Sequence, residues 1–297
     1  MPLPYFGGKG KVELGGWLFK HFDLNGITNY CEPFSGMFGI YLGNFSDFSE
    51  VKKVIYNDID KQNCNVFNCC KVPILFIDEI HKSLQPGGIF YTKRGTSYQE
   101  KYDHYKSIYL DYHNGIKVLP KINLLVNDYQ SAVIYSFLRL TSSNQMHFLT
   151  CGFKNFTLEE SWYKRYKVFQ PLMNKLSDPD FCNKLARINP ITAFDFEIVM
   201  NKYSNSKSFI YLDPPYYDRE LLYDPDKTGV FTVEDHQRLA NAVKQSKARI
   251  AISYYYFDEI FNLYPPKSKG GNFTYLKKKV RNNAAGKSAE EVLILNY

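Results

Sequence analysis

Six cysteines are scattered through 297 residues without a C-x-x-C pair or a regular framework. That pattern excludes the spacing of a structural zinc site and the framework of a disulfide scaffold, and reduced thiols in a reducing compartment are expected. No stretch approaches the roughly 18 consecutive apolar residues that a membrane-spanning helix needs. The opening Met1-Pro2-Leu3-Pro4 reaches Gly7-Gly8-Lys9 without an apolar segment of signal-peptide type. A soluble cytoplasmic protein with no membrane partner is expected. A phosphate-cradling G-x-x-x-x-G-K-[ST] loop is missing too, because Gly7-Gly8-Lys9 lacks its spacing. Internal repeats and low-complexity tracts are absent, and tryptophan is scarce at two residues.

Against these absences, 44% hydrophobic and 23% charged residues match an ordinary globular domain and exclude general disorder. The length suits one large domain, or a core of about 180 residues carrying an insertion. Aromatic residues are abundant at 17%, and tyrosines 98, 102, 105, 109 and 112 stand in polar surroundings, so the rings are not all expected in a core. The formal charge of +7 suits a polyanionic partner.

The first seventy residues read as alternating strand and helix. A short strand through Thr28-Asn29-Tyr30-Cys31 leads into Glu32, and another over 51–57, containing Val54-Ile55-Tyr56, leads into Asp58; between them 34–44, with glycines at its start, reads as a turn and helix. From about 71 to 155 the texture changes. Pro86-Gly87-Gly88 is followed by a Tyr- and Lys-rich segment with little periodicity, and only 131–140 has the 3/4 spacing of a helix. The alternation then returns. A strand over 208–212 ends at Asp213-Pro214-Pro215-Tyr216, Thr232 caps a helix with Asp235 as its third residue, and strands follow over 249–253, 273–280 and 291–297.

Three motifs carry chemistry. In Asp213-Pro214-Pro215-Tyr216, two prolines after a buried strand fix the backbone and remove two donors, leaving a rigid turn of acceptors. Its carboxylate and the Pro214 carbonyl could hold the N–H bonds of an amino-bearing planar base while Tyr216 stacks on the face. Glu32-Pro33-Phe34-Ser35-Gly36-Met37-Phe38-Gly39, between strand and helix, allows close backbone approach to a ligand. Asp58, at the end of the next strand, stands where an acid meets ribose hydroxyls, or else caps a helix through Asn57-Asp58-Ile59-Asp60. Pro4-Tyr5-Phe6-Gly7-Gly8-Lys9 brings an ammonium and flexible backbone towards a carboxylate-bearing ligand, or is a solvated tail.

In this order the motifs resemble those of the Dam-like (D12 class) adenine-specific DNA methyltransferases. Ile191 to Phe196 also looks like the family's motif upstream of the catalytic strand, and Arg281 to Leu293 its carboxy-terminal end. The resemblance implies an α/β fold: a Rossmann-like, S-adenosylmethionine-dependent core with a mostly parallel seven-stranded sheet over 1–70 and 156–297. A mainly helical target-recognition insertion would span 71–155. It implies cofactor contacts at Tyr5, Gly8, Lys9, Glu32, Phe34, Gly36, Asp58, Ile59, Asp195, Phe196 and Asp213, and a catalytic turn of Asp213, Pro214, Pro215 and Tyr216. Phe38 departs from the pattern, standing where the family has its second motif glycine.

The implied reaction is methylation of adenine N6 in duplex DNA after the base is flipped out, with no metal required. DNA contacts are expected at Arg139, as a base-edge reader, and at Asn144, Lys277, Lys279 and Arg281. The lysine run is equally readable as a charged strand edge that discourages aggregation. Double-stranded DNA is the expected partner, with a cognate restriction endonuclease as a second. Alternatives are a methyltransferase of RNA adenine or cytosine N4, disfavoured by the motif order and by an Asp at 213, and a non-catalytic DNA-binding protein of the same fold.

Overall fold

A computed structural model describes residues 12–91, 98–113, 124–142, 162–217, 231–281 and 288–297. Two compact units emerge. One contains residues 9–59, 187–223 and 229–297, and the other centres on residues 60–186.

The first unit is built on a seven-stranded sheet. Its chain order is α1 (Val12–Phe19), β1 (Asn29–Glu32), α2 (Gly39–Gly43) and β2 (Lys53–Asn57). In the second unit follow α3 (Lys61–Cys70), α4 (Pro73–Leu84), α5 (Gln99–His113), α6 (Tyr129–Thr141), α7 (Trp162–Leu176) and α8 (Pro179–Ala186). The first unit then resumes with β3 (Ile188–Thr192), α9 (Phe196–Tyr203), β4 (Ser208–Leu212), α10 (Val233–Gln245), β5 (Arg249–Tyr255), α11 (Ile260–Leu263), β6 (Thr274–Arg281) and β7 (Ser288–Leu295).

The strand order is β3-β2-β1-β4-β5-β7-β6. Strands β1 to β5 run parallel, whereas β7 lies antiparallel between β5 and β6. A parallel sheet covered by helices on both faces buries its central strands, and every residue of β4 is buried. The expected capping box forms: the Thr232 hydroxyl accepts from Asp235 N–H, and the Asp235 carboxylate accepts from Thr232 N–H. Its apolar stripe of Leu239, Ala240 and Val243 enters the core beside β4 and β5.

In the second unit all described elements are helices. Helix α6 packs against α3, α4, α5 and α7. Helix α5 arises from the segment that lacks aliphatic periodicity, because its periodicity is aromatic. Tyr98, Tyr102 and Tyr109 recur at 4 and 7 residue steps and are buried, while Tyr105 lies half-buried between them. Their polar neighbours point to solvent, so most of these tyrosines are core after all. Composition divides the chain at 71 and 155, whereas packing divides it at 60 and 186, placing α3, α7 and α8 with the helical unit.

Candidate active site

In an open parallel sheet, ligands gather at the carboxyl ends of the strands where the strand order reverses. Here that switch lies between β1 and β4, whose next strands, β2 and β5, lie on opposite sides of the pair. The two strongest motifs sit at this point, Glu32 to Gly39 after β1 and Asp213 to Tyr216 after β4.

Glu32 ends β1 buried, its carboxylate accepting from the Tyr30 hydroxyl at 2.7 Å and from the Tyr41 backbone N–H. Burial pushes its carboxyl well above the ordinary range, and the charge of Asp213 pushes the same way against the Tyr30 bond. The loop that follows is tightly tethered. Gly36 adopts φ 49°, donates its N–H to Asp58 Oδ2 at 2.7 Å and accepts from the Tyr56 hydroxyl at 2.7 Å. A left-handed backbone at such close quarters suits glycine. Phe38, where the family has glycine, is also left-handed at φ 54° and fully buried against Tyr41 and Tyr56.

Asp58 is therefore not the helix cap: Asp60 caps α3, accepting from Gln62 N–H at 2.8 Å. Asn57 knits three strand ends together. Its amide donates to the carbonyls of Pro33 and Phe194 and accepts from the Thr192 hydroxyl and Phe194 N–H, all within 3.0 Å. After β2 and β3 two apolar side chains stay out in solvent, Ile59 at 72% and Phe194 at 48% exposure. Phe34, Phe196 and Phe231 form a ring cluster of their own, with Phe34 stacked on Phe196 at 5.4 Å. Asp195 caps α9 and, with Glu197 and Asp235, binds Arg238, whose guanidinium lies 4.9 Å over the Phe196 ring.

Asp213 is half-buried, Pro214 buried and Pro215 half-buried. Ser253, fully buried on β5, donates to Asp213 Oδ1 at 3.0 Å and contacts the Tyr211 hydroxyl at 2.8 Å. Tyr216 exposes 5% of its surface, so it offers little open face for stacking. Its hydroxyl donates to Glu291 Oε1 at 2.8 Å and its ring stands edge-on to Tyr255 at 4.6 Å.

Residues 5–283 match the family described as D12 class N6 adenine-specific DNA methyltransferase. The chain belongs to this family. It is accordingly an enzyme that methylates DNA adenine at N6, and its mostly parallel seven-stranded sheet fits the fold of S-adenosylmethionine-dependent methyltransferases. No curated protein matches the sequence.

The site thus gathers Glu32, Phe34, Gly36, Asp58, Ile59, Asp195, Phe196 and Asp213 to Tyr216 at neighbouring strand ends of one unit. Tyr5, Gly8, Lys9 and Asn144 lie outside the described residues, as does the Arg281 side chain. Arg139, expected to read a base edge, is 2% exposed. Both its Nε and a terminal nitrogen donate to the Tyr135 hydroxyl, which in turn donates to Asp60. Lys277 pairs with Glu290 at 2.7 Å on the edge strand β6, the arrangement of a charged sheet edge. Sequence reasoning missed Arg238, Ser253 and Glu291. The last two were signalled by polar residues interrupting apolar runs, Ser253 after Ile250-Ala251-Ile252 and Glu291 before Val292-Leu293-Ile294.

Proposed function

We propose that the Asp213–Tyr216 turn performs the methylation on an adenine flipped out of duplex DNA. The observation that carries this reading is the Asp213 carboxylate, oriented by Ser253 at the end of β4, beside the switch point of the sheet. The lone pair of the adenine amino group is delocalised into its ring, which makes the nitrogen a poor nucleophile. Asp213 and the Pro214 carbonyl accept its two N–H bonds and so direct the lone pair out of the ring plane. Asp213 also stabilises the positive charge that develops on nitrogen, and the surplus proton leaves to water. Tyr216 serves as a rigid wall of the pocket.

Methyltransferases of this kind use S-adenosylmethionine, which when bound supplies an electrophilic methyl group on sulfonium. The residues present fit it. Exposed Ile59 and Phe194 offer apolar surface to a planar ring, the phenylalanines 34, 196 and 231 form a ring cluster, and Glu32, Asp58 and Asp195 supply polar groups at adjacent strand ends. We further assign target recognition to the 71–155 segment within the helical unit, with a cognate restriction endonuclease as a partner in the cell. DNA binding should weaken steeply with salt as phosphate contacts release counterions.

Asp213→Ala tests the assignment. Methylation should fall by roughly a hundred- to a thousandfold or more, the range for loss of an electrostatic stabiliser, while DNA binding in a gel-shift assay persists. Wild-type turnover in this variant would remove Asp213 from the chemistry.

A further inference from the structure

The turn's two functional side chains are each held by a residue from a different strand. Strands β4 and β5 pair in parallel up to Leu212 opposite Ile252, so Asp213 and Ser253 are the next positions along both. The Ser253 hydroxyl has one proton, which it gives to Asp213 Oδ1, and it accepts in turn from the Tyr211 hydroxyl. This Tyr211 to Ser253 to Asp213 chain commits Oδ1 and thereby fixes the plane of the carboxylate. One strand further, β7 places Glu291 opposite Tyr255 and Leu293 opposite Ser253. Side chains alternate along strands, so Ser253, Tyr255 and Glu291 share one face of the sheet. Tyr216 folds over Tyr255 and reaches across to Glu291.

Both residues occupy sites where an apolar side chain would be cheaper. Glu291 is fully buried beside Val292, Leu293 and Ile294, and Ser253 is fully buried after Ile250, Ala251 and Ile252. A buried carboxylate costs free energy unless its hydrogen bonds are made. Here it accepts from the tyrosine of the turn.

We infer that Ser253 and Glu291 are positioning residues for methyl transfer, the first orienting the Asp213 carboxylate and the second anchoring Tyr216, on the reading of the turn proposed above. Neither touches the reacting atoms; each acts through the residue it holds.

The experiment compares the full-length protein with Ser253→Ala, Ser253→Cys, Glu291→Leu, Glu291→Gln, Tyr216→Phe and the double variant Tyr216→Phe/Glu291→Leu. For each, the single-turnover methylation rate constant on unmodified genomic DNA and the calorimetric Kd for S-adenosylmethionine are measured. Ser253→Ala should lose roughly ten- to a hundredfold in rate, the scale of a small misplacement of a reacting group, with cofactor affinity held within about twofold. Ser253→Cys, which keeps a weak donor, should recover part of that loss. Glu291→Leu should lose rate similarly, and Glu291→Gln, which keeps an acceptor for the hydroxyl, should recover most of it. The double variant should be no slower than the slower single one, because both break the same bond.

Ser253→Ala at the wild-type rate overturns the serine's role. Multiplying losses in the double variant, or a Glu291→Gln as damaged as Glu291→Leu, overturn the glutamate's. Should the Leu variant fail to fold, the Gln variant against Tyr216→Phe still decides. A wild-type protein that leaves DNA adenine unlabelled would instead sink the reading of the turn itself.

Discussion

Phe38 sits in a conformation that its side chain disfavours. At φ 54° it is left-handed, at the position where the family has glycine, and its ring is fully buried among Tyr30, Tyr41 and Tyr56. A left-handed backbone costs an L-residue about 1–2 kcal/mol, whereas removing a buried phenylalanine ring costs about 3–5 kcal/mol. Burial wins, so the native residue is tolerated. The decisive comparison is between two variants that both lose the ring. Phe38→Ala keeps a Cβ and with it the strain, while Phe38→Gly relieves it. At an ordinary helical position glycine is worse than alanine by about 0.5–1 kcal/mol. Here the order should reverse, with Phe38→Gly more stable than Phe38→Ala by about 1 kcal/mol and both below wild type. Urea unfolding followed by circular dichroism reads this as a higher midpoint for the glycine variant at equal slope. An alanine variant at or above the glycine variant would refute the assignment of strain to this residue.

Arg139→Met should destabilise the helical unit by about 3 kcal/mol, the cost of breaking a buried charged network, and leave the methylated sequence unchanged. Unaltered stability together with a changed sequence would make Arg139 a base reader instead. Glu32 gives a pH signature. Burial first, and then Asp213, raise its carboxyl above the unfolded value of about 4.3. Its contribution to stability is therefore complete below that pH and is lost as pH rises through the folded value. Glu32→Gln removes the loss while keeping an acceptor for Tyr30, so its urea midpoint relative to wild type should rise from about pH 4 upward. A gap independent of pH would contradict the direction of that shift.

The sheet was legible where short strands rich in β-forming residues led into an acid: β4 begins and ends at the expected residues, and β1 and β2 fall within two residues of them. Strand β3 escaped notice because Ile188-Asn189-Pro190-Ile191-Thr192 contains a proline and a polar residue and is only partly buried at the far edge of the sheet. Helix α5 escaped because its buried face is tyrosine, a residue whose hydroxyl makes a core stripe look polar. The site motifs were legible since they are contiguous in the chain. Ser253, Glu291 and Arg238 were not, because their partners lie 40, 75 and 41–43 residues away, and only the register of the sheet and the packing of α9 against α10 bring them together. Arg139 misled for the converse reason: an arginine on a good helix reads as surface until Tyr135 and Asp60 are seen to enclose it.

The central claim is adenine methylation by the Asp213 turn. Pure protein incubated with unmodified genomic DNA and labelled S-adenosylmethionine, followed by hydrolysis to nucleosides, tests it most directly. The account predicts label in N6-methyladenine, and a rate of labelling with Asp213→Ala lower by roughly a hundredfold or more. Label in N4-methylcytosine, or in RNA or protein supplied alongside in place of DNA, would contradict it.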